Sequence, residues 1–426
     1  MRRGTTGVLA LLACCLGLAA TASAAVRYAE PAGTGPEPCT SADPCPLALA
    51  VDGPGVGNSD LVIVGAGAYT LTAPLTINHG IQVSGPNRQQ ATISGATTLF
   101  QFVISIAHVD ARLRNVEIVA TGSGGALRAG TGRAEWVVAR SGGAGPTCLP
   151  GVGVNPRLRD SVCHNTGANG VAVGTTAGCA GGPNPQVTAL LRNVTAVATG
   201  SNSVGLGMDL VDGCNIRYEA RNVIARGTAA DLAAVTDANP NTLATITMAS
   251  SSFETVSATG PGASITAPGA GDNITEPPLF VNAAAGDFHQ AQGSPTIDAG
   301  TLGSQIGLAD LDGEPRQQGE GIDIGADETL IPDTTIIKRP PRKVRTNAKR
   351  VRVRFKFKSN AFAGDLATFE CKLDKRAYKP CTSPAIYRVR SGVRNGKRHV
   401  LKVRATMAAG TDTTPAKWRW RVKRRG

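Results

Sequence analysis

The sequence predicts an all-β protein in which a solenoid of stacked strand units precedes a smaller antiparallel domain. Three observations carry that expectation. First, five lines fall in register: LRNVEIV (113–119), LRDSVCHN (158–165), LRNVTAV (191–197), ARNVIAR (220–226) and ASSSFET (249–255). Their polar centres are Asn115, Asp160, Asn193, Asn222 and Ser251, at intervals of 45, 33, 29 and 29 residues, and Glu135-Trp136-Val137-Val138-Ala139 forms a weaker line inside the longest interval. Such a period marks units that bury their apolar side only against their neighbours. Second, each line is strand-sized and followed by Gly/Ala/Thr-rich filler such as ATGSGGALRAG, with no helical period. Third, along residues 351–358, 400–404 and 418–423 apolar and basic residues alternate, the mark of half-buried antiparallel strands.

The chain opens with an expected export signal over residues 1–24. Arg2 and Arg3 give the charged start, Val8 to Ala20 the apolar stretch and Ala22-Ser23-Ala24 the cleavage site. The stretch is too short for a good membrane span, and no later one is apolar enough. A secreted, extracellular or surface-associated location follows. Cys14 and Cys15 leave with the signal, so eight of ten cysteines remain in a setting that permits disulfides. Short loops pair Cys39 with Cys45 and Cys371 with Cys381. Cys148, Cys163, Cys179 and Cys214 allow three pairings. None has the spacing of a zinc site.

VRYAEPAGTGPEPCTSADPCPLALAV, from Val26 to Val51, places an extended run, a Pro/Gly/Cys loop and a short helix where a cap must cover the first open sheet edge. Short apolar runs at 61–64, 69–71, 75–77, 81–83 and 91–93 then supply early turns of the solenoid. This pattern resembles a right-handed parallel β-helix over 26–330, the pectate-lyase-like architecture, which hosts polysaccharide lyases and hydrolases as well as surface proteins. Asn115, Asp160, Asn193 and Asn222 are expected to stack at one corner about 4.8 Å apart and to hydrogen-bond between coils as a structural ladder.

Arg114, Arg159, Arg192 and Arg221 each precede a ladder residue. Strand alternation turns Arg159, Arg192 and Arg221 outward, a candidate row for carboxylated or sulfated glycans. The competing reading pairs them with acids such as Asp160, Glu219 and Glu117. No clustered carboxylates suit a lyase or hydrolase, and His79-Gly80 lacks the acidic pairs of polygalacturonases, so no catalytic residue is assigned.

Pro278-Leu279-Phe280-Val281, Asp287-Phe288, Ser294-Pro295-Thr296-Ile297-Asp298-Ala299-Gly300, Asp310-Leu311-Asp312-Gly313-Glu314-Pro315-Arg316 and Ile322-Asp323-Ile324-Gly325-Ala326 follow in order. Residues 277–328 thereby resemble the choice-of-anchor Q module that closes secreted bacterial β-helix proteins; the family has an aromatic residue where this chain has Asp327. Asp310 and Asp312, two apart in a turn, form a candidate Ca²⁺ site, although an EF-hand's further ligands and its Glu at the twelfth position are missing. The competing reading makes Asp310 and Asp298 acceptors of backbone N–H groups in turns. His289 lies in the same module and is expected to have no partner that makes it a base.

Phe369-Glu370-Cys371-Lys372-Leu373-Asp374, Cys381-Thr382-Ser383-Pro384 and Leu401-Lys402-Val403-Arg404-Ala405-Thr406 resemble bacterial Ig-like modules. The resemblance covers nearly all of 333–426 and implies a β-sandwich with a spacer or adhesion role. Pairing about Arg376 would set Cys371 directly opposite Cys381. Of 44 Lys and Arg, 28 lie between Lys338 and Arg425 against four acids, a net charge of +24, while the rest of the chain has 16 basic and 27 acidic residues, a net −11, and no lysine. Charge so concentrated exceeds what solubility needs and favours polyanions such as anionic cell-wall polymers or acidic polysaccharides. No motif for sequence-specific nucleic-acid reading accompanies it. The expected function is therefore non-enzymatic: a secreted β-helix retained at a surface or matrix by a cationic Ig-like domain. The alternative is a β-helix lyase or hydrolase of acidic glycans.

Overall fold

The computed structural model describes residues 24–153, 155, 157–179, 184–318, 321–361, 367–407 and 410–425. The expected export signal lies outside the described residues, which begin at its last position. The described chain is all-β, with one six-residue α-helix, Leu47–Asp52. No helix among the described residues is long and apolar enough to cross a membrane.

Two long parallel sheets form the solenoid. One starts at Val26–Ala29 and passes through Arg112–Ala120, Arg133–Ser141, Leu158–Asn165, Val187–Ala198 and Asn215–Arg221 to Ala263–Ile265. The other runs from Leu75–Ile77 through Gly125–Arg128, Pro146–Leu149, Val171–Gly178, Val204–Val211 and Ala230–Thr236 to Val256–Thr259. From Arg112–Ala120 onward the chain passes back and forth between the sheets, so each turn of chain adds a rung to both. Inward positions stack by register: Leu113, Ala134, Leu158, Leu191 and Ala220 on one sheet, Leu127, Cys148, Val173, Leu206 and Leu232 on the other, all buried. Each fully buried Leu or Val adds about 1.5–3 kcal/mol relative to exposure.

The amino-terminal end is closed as the Pro/Gly/Cys loop requires. Leu47, Ala50 and Val51 of the short helix are buried, and Cys39–Cys45 staples the loop before it. Arg27 is buried beneath this cap, donating to the carbonyls of Ala50, Gly55 and Leu49 and pairing with Glu37 at 2.7 Å. The coil cysteines pair as Cys148–Cys163 and Cys179–Cys214, and Cys371–Cys381 closes as expected. Its register differs from expectation: Cys371 faces Lys379 and Cys381 faces Phe369, so the bridge joins a diagonal pair.

Asn115, Asp160, Asn193 and Asn222 share one register row with left-handed backbones, φ 54°, 48°, 54° and 55°. Asn and Asp tolerate that conformation better than other side chains, so each can end one strand direction and begin the next. The row also contains Trp136 (φ 57°) and, at its far end, Ser250 (φ 46°) in place of the expected Ser251. Inter-coil amide bonding within the row is corrected. Asn222 instead exchanges two hydrogen bonds with the backbone of Thr301 (2.9 and 3.1 Å), and the buried Asn193 amide has no partner among the described residues.

The partner segment belongs to residues 277–328, which fold back along the solenoid. A strap over 301–314 descends the corner row. Thr301 meets Asn222, Gln305 meets Arg192, Gly307 lies against Asp160 with no room for a Cβ, and the Ala309 carbonyl accepts from Trp136 Nε1 at 3.2 Å. The Leu311 carbonyl accepts from Gln89 at 2.7 Å. Phe288, Leu311 and Ala326 pack on Val138, Val162 and Val197 of the solenoid flank.

Beyond Asp333 two further sheets pack face to face. Thr334–Lys338, Arg350–Ser359 and Ala385–Arg390 form an antiparallel three-stranded sheet. Lys343–Thr346, Ala416–Arg424, Lys397–Met407, Thr368–Leu373, Lys379–Cys381 and Gly410–Thr411 form the other. Val353, Phe355, Phe357 and Val389 meet Leu401, Val403, Trp418, Trp420 and Val422 in one core. The two tryptophans are therefore core residues.

Candidate functional site

The period-two pattern of the carboxy-terminal strands leaves every second side chain outside, and most of those positions are cationic, Ile386 opposite Arg354 being an apolar exception. Along Arg350–Ser359, Arg350, Arg352, Arg354, Lys356 and Lys358 are exposed while Val353, Phe355 and Phe357 are buried. Register sets Arg350 opposite Arg390, Arg352 opposite Arg388 and Lys356 opposite Lys338, all exposed. Across the larger sheet Lys372, Lys402 and Lys417 align on three strands, as do Arg398, Arg421 and Lys343. Three acids of this domain already have partners, Glu370 on the same outer face as Lys372 and Lys402. Glu370 pairs with Arg404 at 2.7 Å, Asp374 with His399 at 2.9 Å, and Asp412 is buried in a turn. Like charges directly opposite one another destabilise a sheet, so folding alone does not favour this arrangement.

The arginines of the solenoid corner are differently placed. Register stacks Arg114, Glu135, Arg159, Arg192 and Arg221 in one row. Glu135, only 4% exposed, bridges Arg114 (3.0 Å) and Arg159 (2.8 Å). Arg159 also meets Asp160 at 3.1 Å. Arg192, 5% exposed, holds the Glu219 carboxylate at 2.9 Å and its carbonyl at 2.6 Å. Arg221 lies against Gly303 of the strap, where a Cβ would come within 2.7 Å of its guanidinium. The expected outward row of Arg159, Arg192 and Arg221 is thus corrected: Glu135 and Asp160 engage Arg159, Glu219 engages Arg192, and Arg221 lies against the strap.

Asp310 and Asp312 are held by different partners. Asp310 is fully buried and accepts the backbone N–H groups of Asp312 (3.1 Å), Glu314 (2.7 Å) and Glu328 (3.0 Å). Among the described residues no group of three His, Cys, Asp or Glu is placed to hold a metal. Asp312 faces His289 Nε2 at 3.1 Å, and Asp287 faces Nδ1 at 2.5 Å. Burial acts to lower the His289 pKa, but these two carboxylates outweigh it and hold it up, at about 11. The expectation that His289 has no partner is corrected: Asp287, two residues before it, meets Nδ1, and Asp312, 23 residues after it, meets Nε2.

Around Asp310 lies an acidic interior. Burial raises Asp323 to about 7 and Glu328 to about 9, and it raises Asp310, with the nearby Asp327 adding to the effect. Arg316, itself 2% exposed, reaches Asp160 at 2.8 Å and Glu328 at 3.8 Å, yet burial still lifts Asp160 to about 6. Docking of the module therefore buries carboxyl groups that favour their neutral form.

A groove separates the module from the solenoid flank. Arg88, Glu117, Arg140, Asp287 and His289 line it, over Val138, Val162 and Leu311. Each of its two carboxylates already has a cation: Arg140 holds Glu117 at 2.7 Å, and His289 holds Asp287. Arg140 also donates to the Gly286 carbonyl at 3.1 Å. The sequence offered no hint of this meeting, since Glu117 and Asp287 sit on elements brought together only when the module folds back. Compared with known proteins, the chain matches no family model, no curated protein and no solved structure.

Proposed function

We propose that this is a non-enzymatic, exported surface or matrix protein: a right-handed β-helix, closed by a choice-of-anchor Q-like module, that a cationic Ig-like domain retains on anionic envelope polymers or polysaccharide. One observation carries the reading. On both outward faces of the carboxy-terminal sandwich, Lys and Arg stand directly opposite Lys and Arg, as at Arg350–Arg390, Arg352–Arg388 and Lys402–Lys417. That placement opposes folding and favours a multivalent anion that spans the strands. Polyanion contact of this kind weakens as salt rises.

The test is partitioning of the mature protein onto purified cell-wall material across a salt series, beside an Arg350→Gln/Arg352→Gln/Arg354→Gln variant. Retention that falls with salt, and falls further in the variant, is the expected result. Salt-insensitive retention, or none, overturns the reading.

A second reading, cleavage of an acidic glycan by the β-helix, is favoured by the groove that gathers Glu117, Asp287 and His289. Product release from acidic glycans with and without Ca²⁺, abolished by Asp287→Asn, would establish it. A glycan panel left uncut would remove it.

A further inference from the structure

We infer that the three-stranded face of the sandwich is built for a phosphodiester-backbone polymer rather than for a polyuronate. The inference rests on the retention reading above and names the chemistry of its ligand. Arg350, Arg352, Arg354, Lys356 and Lys358 project from one strand at every second residue, and all are exposed. Among the described residues none of the five makes an ion pair.

The spacing decides the ligand. Neighbouring cations on this strand lie about 6.8 Å apart, twice the rise per residue, and the five span about 27 Å. Two peptide units separate them, which is six backbone bonds. A nucleic acid or a poly(glycerol phosphate) also has six backbone bonds between successive phosphorus atoms. An extended phosphodiester chain therefore advances by about the same distance per charge as this strand does. A two-fold polyuronate ribbon turns successive carboxylates to opposite sides and presents only alternate charges to one face.

Side-chain chemistry points the same way. One end of the face is entirely arginine at its outward positions: Arg350 and Arg352 on one strand, Arg390 and Arg388 opposite. A guanidinium grips two oxygens of a phosphate through a planar fork, whereas an ammonium acts as a point charge. Opposed arginines on strands about 4.8 Å apart can clasp one phosphate from two sides. No aromatic residue occupies an exposed position on these three strands, so the face has no platform for stacking bases. Recognition is of the backbone alone.

The experiment measures binding of the whole mature protein to poly(glycerol phosphate), to oligothymidylate and to polygalacturonate, matched in charge number, across a salt series. Alongside it goes Arg350→Lys/Arg352→Lys/Arg388→Lys, which keeps the charge and removes the fork. The expected result is affinity for both phosphodiesters about tenfold above that for polygalacturonate, with the lysine variant losing the preference while keeping salt-sensitive binding. In Arg350→Gln/Arg352→Gln/Arg354→Gln the salt slope on the phosphodiesters should fall by about 2, since each single-strand phosphate contact contributes about 0.7. Equal affinity for all three polymers, unchanged in the lysine variant, overturns this inference and leaves retention by charge intact. Binding of oligothymidylate alone also overturns it, because the bases would then carry the contact. Binding of none removes both readings together.

Discussion

Arg316 and Asp160, 156 residues apart in sequence, form an ion pair at 2.8 Å with both side chains almost wholly out of solvent. Arg316 also donates to the carbonyls of Ala326 and Asp327 at 2.6 and 3.2 Å. The pair pins the folded-back module to the middle of the corner row, where Asp160 is one of the left-handed residues. Removing one partner strands the other charge. Arg316→Met should cost about 3–5 kcal/mol in urea unfolding, and adding Asp160→Asn should recover part of that loss. A double variant no better than the single one would show that the pair does not act as a unit.

The acidic interior sets an unusual pH dependence. A carboxyl whose pKa is raised by folding binds protons more tightly folded than unfolded, so its contribution is lost as pH rises through the folded value. Asp323 at about 7, Glu328 at about 9 and the raised Asp310 all act this way. His289, held up at about 11, acts in the same direction above its ordinary value. His164 opposes them only at lower pH, since burial depresses it to about 4. Melting temperature should therefore fall steadily from pH 7 to pH 9. Glu328→Gln, which fixes one of these groups in a neutral form, should flatten that slope; an unchanged slope would exclude the interior as its source.

The corner row predicts opposite outcomes for two residues of the same type. Asn222 is tied to the Thr301 backbone by two hydrogen bonds, whereas Asn193 is buried with both amide atoms unpartnered among the described residues. Asn222→Ala loses both bonds and keeps a left-handed backbone, at about 1–2 kcal/mol for the conformation alone. Asn193→Gly removes a buried polar group worth about 1–3 kcal/mol of desolvation and suits φ 54°. Thermal unfolding should show the first destabilised and the second unchanged or stabilised. Equal losses would mean that the row is held by packing, not by these bonds.

How legible this was in the sequence follows from the range of each interaction. The repeat spacing exposed the register of Leu113, Leu158 and Leu191, because a solenoid rung contacts only its neighbours and each rung must carry the same pattern. The positive-φ row was legible for the same reason, except in the run Ser250-Ser251-Ser252, where three identical side chains carry no register mark. The coil disulfides were not legible, because four cysteines at similar depth allow several pairings until the rungs are stacked. The strap was invisible: Thr301, Gln305, Gly307 and Ala309 look like an ordinary loop, and their partners lie scattered over earlier turns. Without the strap, strand alternation turned Arg159 and Arg192 toward solvent. In the fold they pair with Glu135, Asp160 and Glu219 beside the strap.

The cationic sandwich yields the prediction that separates function from folding. Arg352 stands directly opposite Arg388 on the exposed face, with no acid beside either among the described residues. If the face existed for stability, reversing one charge would harm it. The register says otherwise: Arg352→Glu replaces a like-charged cross-strand pair by an opposite one, a change worth about 0.2–1 kcal/mol in favour of the fold. Added salt should raise the melting temperature of the parent by screening the repulsion and should do less for the variant. The same substitution places a negative charge on the strand proposed to hold the polyanion, so retention on cell-wall material should drop. Higher stability with weaker retention is the expected pair of outcomes. A variant that melts lower than the parent would mean that the opposed arginines support the sheet, and the case for a bound polyanion would lose its main ground.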